Sequence, residues 1–194
     1  VSSGYDLKHL KRLIFTSTAY QFSPIAKSKN PEAAANFASY RMRRVEAEVL
    51  IDAVNKITGT SDLYTSPIPE PFTYIPRDMP AVAVADGSIT SPFLALFGRS
   101  ARSTGMANER NNKPVSAQWL HMLNSSHIQN KLERGPMLRQ LMRRGRRNPR
   151  QVVGQLYMAI LSRPPTPDEI GVLQEISRSR FTGRTALVDL AWAL

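Results

Sequence analysis

Between Phe37 and Ile57 the sequence FASYRMRRVEAEVLIDAVNKI carries the longest uninterrupted helical pattern of the chain. Whatever the chain folds into has to accommodate it. Asn30-Pro31-Glu32 upstream has the form of a helix start: a capping Asn, a Pro whose missing N–H is harmless in the first turn, and an acid near the positive helix end. Gly59 supplies the stop. Met42, Val45, Val49, Ala53 and Ile57 recur at three and four residues and so share a face, which Leu50 and Val54 widen. Arg41, Arg44, Glu48 and Asp52 recur in the same way on another face. The spacing predicts a helix that is apolar over a broad arc and carries one narrow charged ladder. Three readings of the ladder stay open: solvated pairs of about 0.3 kcal/mol each, a buried ion network, or one wall of a site.

Elsewhere the pattern is also helical. Residues 5–20 read as a helix capped by Asp6, with Leu7, Leu10 and Ile14 on one side and Lys8, Lys11 and Arg12 away from it. The segment 58–80 excludes helix, because Pro67, Pro69, Pro71, Pro76 and Pro80 lack the donor N–H and restrict their predecessors. Its Phe72, Tyr74 and Ile75 point to extended chain packed on the body. AVAVA at 81–85 has the composition of a short strand, and Asp86-Gly87 that of a turn. Phe93–Phe97 form an apolar helical turn ended by Gly98. Residues 99–114 are a long polar loop, the kind of connection that carries function. Helix resumes near Ser116 and runs through Leu132, with Leu120, Leu123, His127, Ile128 and Leu132 on its stripe. Asn148-Pro149 starts a helix with Val152, Val153, Leu156, Tyr157, Ile160 and Leu161 inward. Thr166-Pro167-Asp168-Glu169 is a capping box, followed by Ile170, Leu173 and Ile176, and a last helix follows Gly183. The expected architecture is one mainly α, irregular helical domain over 1–194, with a Pro-rich extended middle and at most one short strand pair.

Charge sets the class of partner. The chain has 26 Lys+Arg against 15 Asp+Glu, a formal net charge of +11. That excess suits polyanions, or an acidic surface elsewhere in a longer chain. Cysteine is absent, which removes disulfides, thiolate metal sites and a Cys nucleophile. No run of about 18 apolar residues exists, so no membrane span is expected. The chain starts at Val1 and stops within the apolar run Leu190–Leu194, as an excised piece of a longer protein would.

Several long motifs, in order, carry a family resemblance. GYDLKHLKRLIFTSTAYQFS, YRMRRVEAEVLIDAV, LFGRSARSTGMANERNNKPVSAQWLHMLNSSHIQNKL, LYMAILSRPPTPDE and ALVDLAWAL together resemble the bacterial domain of unknown function family 1553. Lys113-Pro114 departs from the Thr-Pro more usual there as a helix start. The resemblance implies the C-terminal part of a large exported planctomycete or verrucomicrobial protein. It also implies that a second uncharacterised domain, and sometimes a cytochrome-c-like one, accompanies it in the polypeptide. It implies an extracytoplasmic location, and it supplies no activity and no catalytic residues.

No catalytic constellation stands out. Glu48 and Asp52 lie one turn apart, as a carboxylate pair for glycoside chemistry would, but Arg41 and Arg44 on the same ladder would hold both ionised. His121 and His127 lie six residues apart on one expected helix, a spacing that does not chelate on one face, and His9 is alone. Gly98 and Gly105 form no phosphate loop, and Ser125-Ser126 no nucleophile elbow. The sequence therefore asks for no metal and no cofactor. The candidate binding residues are Arg44, Arg99, Arg102, Glu109 and Arg110 around the polar loop, and the run Arg139, Arg143, Arg144, Arg146, Arg147 and Arg150. Guanidiniums at this density grip phosphate, sulfate or carboxylate. Interleaved aromatics for base stacking are missing, so nucleic acid is the least favoured polyanion. The functional expectation is an accessory or binding module that meets the remaining domains of its own polypeptide and anionic polysaccharide. An enzyme on complex carbohydrate, with a site between helix 38–57 and loop 99–114, is the rival, and a nucleic-acid binder the third reading.

Overall fold

The computed structural model describes residues 4–25, 27–33, 35–40, 42–69, 71–84, 89–100, 109–111, 113–144, 148–178 and 183–194. They are mainly α-helical. Extended chain pairs among them at a single antiparallel bridge, Thr65 with Thr90. The chain divides into two compact units, Val1–Arg44 and Val45–Leu194.

The first unit holds helix α1 (Leu7–Phe15) and irregular chain. Asp6 caps α1 as expected, its carboxylate accepting from the Lys8 N–H at 2.8 Å. The helix ends at Phe15, where the Thr16 hydroxyl donates to the Arg12 carbonyl at 2.8 Å. Asn30-Pro31-Glu32 does form a capped turn, with the Asn30 side chain accepting from the Glu32 N–H at 2.9 Å. That turn is a short 3-10 segment, Pro31–Ala33, and does not lead into a long helix. No described residue of this unit is buried.

The second unit begins with the organising helix, shorter and rotated relative to expectation. Helix α2 spans Ala47–Thr58, so the chain from Phe37 to Glu46 is not helical where described. The physical reason is burial. Met42 and Val45 are exposed, whereas Ala47, Glu48 and Ile51 are buried, and a helix this length is stable only where packing rewards it. Of the stripe that sequence spacing turned inward, Met42, Val45, Val49 and Ala53 are exposed, whereas Ile57 and the flanking Leu50 and Val54 are partly buried against the core. The inward face is Glu48, Ile51, Asn55 and Thr58, flanked by Asp52. Gly59 ends the helix as expected, at φ +72°.

Residues 60–69 and 71–80 are not helical; Phe72 and Tyr74 stay exposed, while Tyr64 is buried in the core and Ile75 and Met79 pack on it. The expected strand is a 3-10 turn, Ala81–Ala83, because Asp52 of α2 captures both of its leading N–H groups; Ala85 lies outside the described residues. Helix α3 (Pro92–Leu96) is capped by Ser91. The single helix expected from Ser116 is two, α4 (Ser116–Asn124) and α5 (Ser126–Arg134), because Ser125 turns extended and its hydroxyl accepts from the Ile128 N–H at 3.3 Å. Leu120 and Leu123 are exposed, and α4 turns Gln118, His121 and Met122 inward instead. Helix α6 (Pro136–Arg144) buries Leu138 and Met142. Helix α7 (Pro149–Leu161), capped by Asn148, buries Val152, Leu156 and Tyr157 as the stripe required. Helix α8 (Pro167–Arg178) opens with the expected capping box, Thr166 and Glu169 bonding each other's backbone N–H at 2.7 and 3.3 Å. Helix α9 (Arg184–Ala193) places Val188 and Ala191 in the core. Ile51, Leu94, Leu138, Val152 and Leu156 are its most deeply buried side chains.

Candidate functional site

Two polar networks hang from the two ends of α2. At the N-terminal end, Arg110 donates both terminal nitrogens to the Glu48 carboxylate, at 2.7 and 2.8 Å. The Arg99 Nε lies 3.6 Å from the same carboxylate, and another Arg99 nitrogen donates to the Val84 carbonyl at 2.9 Å. The side chains of Glu48 and Arg99 are each only 7% exposed. Burial by itself raises the Glu48 carboxyl. The Arg110 hydrogen bonds and the charges of Arg110 and Arg99 outweigh burial and hold it below the ordinary glutamate value. Glu46, more exposed, adds a looser contact to Arg110 at 3.8 Å.

The loop that delivers the two arginines is closed by Gly98. Its φ is +100°, and a Cβ there would sit 2.1 Å from the Asn111 carbonyl oxygen. The Gly98 carbonyl accepts from the Asn111 N–H at 3.0 Å. The close approach sets Arg99 and Arg110 side by side although eleven positions separate them. Ser100 and Glu109 form a second rung, the hydroxyl donating at 2.9 Å.

At the C-terminal end of α2 the anion is Asp62. One carboxylate oxygen meets His127 Nε2 at 2.7 Å and Lys131 Nζ at 3.2 Å, and the other accepts from Asn55 at 3.2 Å. Lys131 is buried, and its ammonium also donates to Asn55 at 2.6 Å and Thr60 at 3.1 Å. Burial raises the Asp62 carboxyl, but the His127 bond and the Lys131 charge prevail, so it too titrates below the ordinary value. The His127 ring stands 5.7 Å from that of His121, and both pack edge-on to Phe93. Among the described residues His121 Nε2, which is buried, has no hydrogen-bond partner. Burial, then the neighbouring His127, lowers the His121 pKa. The buried Tyr64 hydroxyl has no hydrogen-bond partner among the described residues, and burial pushes it above the usual tyrosine value. Among the described residues no group of three His, Cys, Asp or Glu is placed to hold a metal ion.

The structure separates the residues that sequence spacing had grouped. Glu48 joins Arg99 and Arg110, so helix and loop do converge, with the carboxylate sealed between guanidiniums. Asp52 is elsewhere engaged, accepting from the Ala81 and Val82 N–H groups at 2.7 and 2.9 Å. The ladder of four does not exist as a helical face: Arg44 is exposed and precedes α2, and Arg41 and Arg102 lie outside the described residues. Arg139 and Arg143 are exposed on α6, and Arg150 is exposed on α7. Arg146 and Arg147 lie outside the described residues, and of Arg144 only its place in α6 is described. The cluster missed by spacing is Asp62, His121, His127 and Lys131. Its signal was Asn124-Ser125-Ser126, a cap within the helical run. That break puts the two histidines on different helices, where a separation of six no longer keeps them apart.

A mainly helical unit with a buried polar network at each end of α2 is the class the geometry defines. The chain belongs to the protein family of unknown function DUF1553 (PSD1), whose family model matches residues 1–177. No curated protein and no solved structure matches it. No helix among the described residues is long and apolar enough to cross a membrane.

Proposed function

We propose that this chain is a non-catalytic accessory module of an exported bacterial protein, docking on other domains of its own polypeptide and binding anionic polysaccharide. The observation that carries the binding surface is the division of α6. Leu138 and Met142 are buried, while Arg139 and Arg143, four residues apart, are exposed. The core thus anchors a helix that presents two guanidiniums on one face, and exposed Arg150 follows at the start of α7. Paired guanidiniums of this kind suit sulfate and carboxylate groups. The non-catalytic reading is supported by the occupations of Glu48 and Asp52. One is clamped in a bidentate ion pair, and the other caps a turn.

Affinity electrophoresis through gels containing a sulfated polysaccharide tests the reading. The wild-type chain is expected to be retarded, less so with rising salt. Arg139→Ala with Arg143→Ala is expected to relieve most of the retardation while leaving the thermal transition in place. An unretarded wild type, or stronger binding to a single-stranded oligonucleotide than to the glycan, overturns it.

A further inference from the structure

Helix α1 is amphipathic, apart from Phe15, which falls on its basic arc. At 100° per residue, Leu7, Leu10, Leu13 and Ile14 occupy one continuous arc, and Lys8, His9, Lys11 and Arg12 the other. All four apolar side chains are about half exposed or more, from 48% at Ile14 to 68% at Leu7, and no residue of α1 is buried. Phe15, on the basic arc at the end of the helix, stacks edge-on with Tyr20 at 5.2 Å, and Tyr20 with Tyr40 at 6.1 Å, an exposed aromatic row. The charge around it has one sign: residues 1–44 hold eight Lys or Arg against Asp6 and Glu32.

We infer that α1 docks on an anionic lipid surface, with the Leu7, Leu10, Leu13 and Ile14 face set among the acyl chains and Lys8, Lys11 and Arg12 against lipid phosphates. Charge complementarity selects this occupant. A basic amphipathic helix lies in the interface plane with its apolar face down, long Lys and Arg stems reach back to the headgroups, and aromatic rings favour the boundary between them. A protein groove would have to supply acids in register with each cation; a layer of anionic headgroups satisfies them in any register. The inference concerns the first unit and does not depend on the glycan surface of α6.

The test is co-sedimentation of the full 194-residue chain with vesicles of phosphatidylcholine, with or without phosphatidylglycerol. Binding is expected to the anionic vesicles only, and to weaken with salt. Each basic residue neutralised on the polar face, as in Lys8→Gln or Lys11→Gln, is expected to lower the partition coefficient roughly fivefold. Leu10→Asp with Ile14→Asp is expected to lower it at least ~tenfold. Arg139→Ala with Arg143→Ala is expected to leave it unchanged, which separates lipid docking from polysaccharide binding. The polar-face variants keep the apolar face intact, so they read out docking even where the acidic variants unfold α1. Equal binding to neutral vesicles, no binding to anionic ones, or indifference to the α1 variants overturns the inference. So does a concentration-dependent dimer that the Leu10→Asp, Ile14→Asp pair abolishes, because the face would then be covered by a second copy.

Discussion

The two ends of α2 solve the same problem with different chemistry. At the N-terminal end, one buried carboxylate, Glu48, faces two guanidiniums, with Arg110 in bidentate geometry. At the C-terminal end, Asp62 is shared between an ammonium and an imidazole, and neutral Asn55 and Thr60 fill the remaining valences. The first network concentrates its stabilisation in one residue. The second spreads it, so that loss of one member leaves the others partnered. The second also contains an imidazole, and the first does not.

The largest expected effect breaks the first network. Glu48→Ala leaves Arg110 facing Arg99 without the shared carboxylate, which costs about 3–5 kcal/mol in urea-unfolding free energy. A loss below ~1 kcal/mol would mean that water reaches the pair and that the network is no anchor. Gly98→Ala attacks the same network through its loop. The positive φ and the Asn111 carbonyl both oppose a Cβ, and about 3 kcal/mol is expected, with the loop rather than the helix yielding first in hydrogen exchange.

Lys131→Met is expected to be milder, about 2 kcal/mol, because Asp62 keeps His127 and Asn55. Equality with Glu48→Ala in the same titration would erase the contrast between the ends. Asp52→Ala removes two backbone acceptor bonds from the Ala81–Ala83 turn and is expected to cost about 1 kcal/mol, the usual worth of a cap.

Acidity sharpens the comparison with the smallest effect. The folded pKa of His121 lies below its ordinary 6.5, so the unfolded chain binds the proton more readily. Its stabilisation is complete above pH 6.5 and declines as the pH falls below that value. His121→Phe should flatten melting temperature against pH in this window and leave Glu48→Ala proteins with the same slope as wild type. Glu48 and Asp62 act lower. Their depressed folded pKa values stabilise the fold above the ordinary carboxylate values of 4.5 and 3.8, and that contribution disappears as the pH falls through the depressed values.

Much of the local structure was legible from residue order. Asp6, Asn148-Pro149, the Thr166–Glu169 box, Gly59 and Gly183 mark ends where helices begin or stop, because caps act within four residues of backbone. The α7 stripe was legible for a similar reason: its apolar residues are numerous enough to leave one choice of inward face. The candidate site was not. Glu48 and Asp52 were visible as a pair, but their partners stand 62 and 29 residues away. The Asp62, His127 and Lys131 cluster spans 65 and more residues, and no local spacing encodes it.

The sequence by itself determined a mainly helical, cysteine-free, strongly basic chain of this family and several of the caps at which its helices begin or end. Only the tertiary structure decided which face of α2 turned inward. Hydrophobic periodicity chose Met42, Val45, Val49 and Ala53, since transfer from water favours apolar surface. The folded chain exposes these four, keeps Leu50, Val54 and Ile57 on the core, and turns Glu48 and Asn55 inward because Arg99, Arg110 and Lys131 arrive from distant segments to satisfy them. A buried charge is tolerable only once its partner is in place, and the partner is known only from the fold.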